Sequence, residues 1–82
     1  MIIIIKHNED YLKQKQMWVE IRMAALGEME AKLREMRSLA AYARDNYISP
    51  DVAQRLTSRL GVLQEEINIL DEQTRVFWMD CH

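Results

Sequence analysis

One proline and two glycines are all that this 82-residue chain offers toward reversing its own direction. A β-sandwich, a barrel or a doubly wound sheet needs frequent turns, and Gly and Pro supply most of them. Their scarcity directs the chain toward long helices. Pro50 lies in the one strong reversal, Asn46-Tyr47-Ile48-Ser49-Pro50-Asp51. Asn46 suits a left-handed residue closing a first helix. Ser49 is an N-cap for a second, Pro50 fits its first position, and Asp51 adds negative charge at its positive end.

The expected fold is therefore all-α, a long antiparallel helical hairpin forming a single domain over 1–82. Helix 1 is expected over 8–46 and helix 2 over 50–79. Ile2 to Ile5 form a run of β-branched residues, which favour extended backbone, so the stretch 1–7 is expected as an extended head. Asn8 would then cap helix 1, with Glu9 and Asp10 in its first turn.

Two apolar patterns run along the helices. On helix 1, Leu12, Val19, Leu26, Leu33, Ala40 and Tyr47 recur at spacing seven, with Met29, Met36 and Ala43 as a companion row. Together they predict one packing stripe. On helix 2, Ala53, Leu56, Leu60, Leu63, Ile67, Leu70, Thr74 and Phe77 alternate in steps of three and four, a coiled-coil seam. Val62, Ile69 and Val76 make a second ridge around the same helix. Two ridges imply two neighbours, and two helices alone enclose no core. The hairpin is thus expected to be completed by oligomerisation into a four-helix-type bundle, as a homodimer or higher oligomer. Leu56, Leu60, Leu63, Ile67, Leu70, Val62, Ile69 and Val76 would carry that interface. The antiparallel register sets Lys32 opposite Glu65 and Leu26 opposite Leu70 or Asp71, and it brings Trp18 toward Trp78 and Met79. Glu28–Lys32 and Glu30–Arg34 are expected as i,i+4 pairs.

Composition bounds the function classes. Hydrophobic residues at 49% and charged residues at 29% give a chain able to fold, unlike a disordered tail. The lone cysteine, Cys81, forms no internal disulfide, which points to a reducing, cytoplasmic setting. No apolar run reaches the roughly 18 residues of a membrane span, and the start Met-Ile-Ile-Ile-Ile-Lys-His lacks the pattern of a secretory leader.

The chemistry-bearing motifs are missing: there is no phosphate loop, no nucleophile elbow, no His-Glu-x-x-His and no Cys-x-x-Cys. Consecutive carboxylates such as Glu65-Glu66 and Asp71-Glu72 do not face one another on a helix, and Asp80-Cys81-His82 is too short a ligand set for structural zinc. No catalytic residue, cofactor, metal or small-molecule substrate is expected. Large aromatics and flexible methionine favour protein contacts, so Trp18, Met23 and Trp78 are the expected partner-contact residues. Tyr42, on a different face of helix 1, is a secondary candidate.

Charge offers an alternative. Residues 11–45 hold seven basic and five acidic side chains, whereas 51–80 hold three basic and six acidic. A nucleic-acid-binding hairpin dimer would use Lys13, Arg22, Arg34, Arg37 and Arg44. Glu20, Glu28, Glu30 and Glu35 interrupt that patch, and opposite signs on the two helices serve equally to set their register. The favoured expectation is a non-enzymatic protein-interaction module, a small regulator, inhibitor or adaptor of bacterial or phage type.

The layout, with its Ser49-Pro50-Asp51 start, resembles two groups of small bacterial helical hairpins, the sporulation phosphatases and the chaperones of secretion systems. The phosphatase signature is a Ser-Gln-Glu-Leu-Asp run in the second helix. Here it corresponds to Thr57-Ser58-Arg59-Leu60-Gly61, where Leu60 alone agrees. The resemblance therefore implies hairpin architecture and no phosphatase activity.

Overall fold

The computed structural model describes the backbone of residues 2–81 and the side chains of residues 9–75. Two helices, α1 (Ile2–Asp45) and α2 (Pro50–Cys81), pack side by side as an extended antiparallel hairpin. Ser49 works as the sequence predicts. Its hydroxyl accepts from the Val52 amide at 3.3 Å, and its carbonyl accepts from Ala53 N at 2.9 Å, so α2 starts at Pro50.

The other end of the turn is built differently from expectation. No described residue has a positive φ, so Asn46 does not close α1 in the left-handed conformation. It closes the helix by donation instead: its backbone N and its side-chain Nδ2 both reach Tyr42 O, at 3.1 and 3.0 Å. A side-chain amide that can satisfy the last carbonyls removes the need for a left-handed residue.

The start of α1 is a second correction. The helix begins at Ile2, so the stretch expected as an extended head is helical, and Asn8 lies inside the helix rather than capping it. β-branched residues cost a helix only tenths of a kcal/mol each, and adding a residue to an existing helix is far easier than nucleating one. No Gly or Pro separates Ile2 from the helix-favouring stretch that follows.

The resulting molecule is a rod. Its Cα extents are 70 × 17 × 10 Å and its radius of gyration is 19.7 Å. A compact chain of this length would have a radius near ~12 Å. The fully buried set is correspondingly small: Ala25, Met29, Leu63 and Thr74 are the buried residues among those described.

The apolar line of α2 that the sequence assigns to association between copies faces α1 within the hairpin. Leu63 is 1% exposed, and Ala53, Leu56, Leu60, Ile67 and Leu70 are half-buried along the same line. The expected stripe of α1 divides: its companion row, Met29, Met36 and Ala43, packs inward as predicted, and its main row does not. Ala25, Met29, Met36, Leu39 and Ala43 line the contact with α2, together with Trp18, Arg22 and Lys32. Leu12, Val19, Leu26, Leu33 and Ala40 remain exposed. The small side chains of Ala25 and Ala43 let the helices approach, and the long side chains of Arg22 and Lys32 cover the seam with their methylenes while their tips find acceptors. Methionines accordingly divide: Met29 and Met36 pack inward, while Met17 and Met23 stay exposed.

Candidate functional site

The interior of the hairpin is fixed by polar contacts concentrated toward its open end. Trp18 Nε1 donates to the Thr74 carbonyl at 2.8 Å. Arg22 Nη1 donates to Thr74 Oγ1 at 2.6 Å, and Arg22 Nη2 pairs with Asp71 Oδ1 at 2.8 Å. Thr74 Oγ1 in turn donates to Leu70 O at 2.9 Å. The hydroxyl therefore both accepts and donates, which is what its burial demands, Thr74 being only 5% exposed. Arg75 closes the cluster on Asp71 from the following turn of α2.

Hydrogen bonds from Arg75 and Arg22 hold the Asp71 carboxyl below its usual range. Further along, Lys32 pairs with Glu66, which lowers the Glu66 carboxyl in the same way, and Arg59 pairs with Glu35 at 2.9 Å. These pairs replace two expected ones. Lys32 meets Glu66 rather than Glu65 or Glu28, because Glu66 borders the seam and Glu65 points outward as an exposed residue. The Glu30–Arg34 pair forms as expected, at 2.8 Å.

Trp18 is thus a half-buried interhelix donor bonded to Thr74. The side chains of Val76, Trp78 and Met79 lie outside the described residues, as do those of His7, Cys81 and His82. Met23, the other expected contact residue, is 67% exposed. Leu63 faces α1 within the same chain, and Leu56, Leu60, Ile67 and Leu70 lie beside it, half-covered. Val62 and Ile69 are exposed. Tyr42 is half-exposed near the turn.

The two uncovered apolar rows lie on opposite flanks. An open groove brings Glu28 and Lys32 of α1 against Glu66, Ile69 and Leu70 of α2, so Ile69 belongs to the Glu28 flank. Leu26 precedes Glu28 by two residues, which puts it about 160° away around the helix. The row Leu12–Val19–Leu26–Leu33 therefore borders the other flank. Sequence spacing identifies both rows but assigns the first to the interior of the hairpin, where the structure does not place it.

The basic residues of α1 are mostly engaged. Arg22 pairs with Asp71, Arg34 with Glu30 and Arg44 with Asp45. Lys13 and Arg37 are exposed. Among the described residues no group of three or more His, Cys, Asp or Glu could hold a metal ion, and no helix is long and apolar enough to cross a membrane. The surface concavities are open grooves lined by one or both helices.

No protein-family model matches the chain, and searches of curated proteins and of solved structures find no match.

Proposed function

We propose that this chain is a non-enzymatic helical interaction module, a small regulator, inhibitor or adaptor that self-associates and presents a helical face to another protein. The observation that carries this reading is the pair of apolar rows at heptad spacing, on opposite flanks, that the hairpin itself leaves uncovered. Monomeric proteins rarely leave long contiguous apolar surface in water, and surface of this kind marks association sites. Amphipathic helices recognise partners through residues spaced as these are.

Surface area supports the same reading. The chain exposes 6724 Å². A compact monomer of this mass exposes about 5,200 Å². The excess is of the order that a protein interface removes from water.

The test is sedimentation across concentration. Association in the micromolar range supports the module, whereas a stably folded monomer throughout that range would overturn it. Titration with fluorescent nucleic acid at low and moderate salt probes the alternative, since binding through Lys13, Arg22, Arg34, Arg37 and Arg44 would fall steeply with salt. Three of those five side chains are held in ion pairs, which favours the protein-interaction reading.

A further inference from the structure

We draw no further inference here: the strongest candidate, the exposed apolar row Leu12–Val19–Leu26–Leu33 along one flank of α1, carries nothing because Arg34 beside it is already paired with Glu30 and nothing in the structure shows what covers it.

Discussion

Arg22 Nη1 and Thr74 Oγ1 meet across the hairpin at 2.6 Å, 52 residues apart in sequence. Their contact joins a threonine that is almost fully buried to a guanidinium that also holds Asp71. Thr74→Val preserves shape and removes the hydroxyl, leaving Arg22 one acceptor short. Equilibrium urea unfolding should show a loss of about 1–2 kcal/mol. Thr74→Val combined with Arg22→Met removes both partners, and the double variant should lose less than the sum of the singles. Additive losses would mean that the bond contributes nothing specific.

The paired carboxylates predict how stability depends on pH. Asp71 and Glu66 are held below their ordinary values of 3.8 and 4.5 by their basic partners. A lowered folded value means that the unfolded chain takes up protons first. Their contribution is therefore complete at neutral pH and is lost as pH falls through the ordinary carboxylate range and on through the lowered folded values. Urea midpoints should drop on acidification through that window, and the drop should be smaller for Asp71→Asn. An equal drop in the variant would remove Asp71 from the account.

Leu63 is the most enclosed side chain of the seam, at 1% exposure. In a core this small, its loss has nowhere to be compensated. Leu63→Ala should cost about 2–5 kcal/mol, and Leu63→Asp should abolish cooperative unfolding by circular dichroism. Glu65→Ala, two residues on and exposed, should change stability by less than about 0.5 kcal/mol.

The parts of this structure that are legible in the sequence are those set by local chemistry. Ser49, Pro50 and Asp51 specify where α2 begins, and no tertiary contact is needed to read them. The α2 seam is legible because its apolar residues alternate three and four apart without competition. On α1 two rows compete, and apolarity alone favours Leu12, Val19, Leu26 and Leu33. Packing selects the row containing Trp18, Arg22 and Lys32, because the polar tips of those side chains have partners in Thr74, Asp71 and Glu66. That preference belongs to the helix pair, so neither helix displays it separately. The signal that points there is the interleaving of Ala25, Met29, Met36, Leu39 and Ala43 at steps of three, four and seven. The backbone of 2–7 departs from expectation for a related reason: β-propensity describes a residue in a sheet, and here there is a helix to extend.

Gly61 offers a test of the hairpin that leaves every contact in place. It lies within α2, and nothing is within 4 Å of an added Cβ. Gly61→Ala should therefore stabilise by about 0.5–1 kcal/mol through the unfolded chain's lost freedom. For a domain of this size that corresponds to a rise of several degrees in Tm. A fall in Tm would show that something outside the described hairpin occupies the space beside Gly61.

Val62 and Ile69 separate the surface role from the structural one. Both are exposed, and Ile69 lies on the flank shared with Glu28, so the hairpin derives little from them. Replacing both with Gln should leave helicity unchanged and shift the urea midpoint only slightly, since exposed substitutions away from caps and cores cost less than about 0.5 kcal/mol each. If a target protein docks on this flank, the same double variant should lose that binding while keeping its own association state. A large loss of stability would instead mean that the ridge is part of a core that more than one chain builds. In that case unfolding of the parent protein would depend on its concentration, and its urea midpoint would fall steadily along a dilution series.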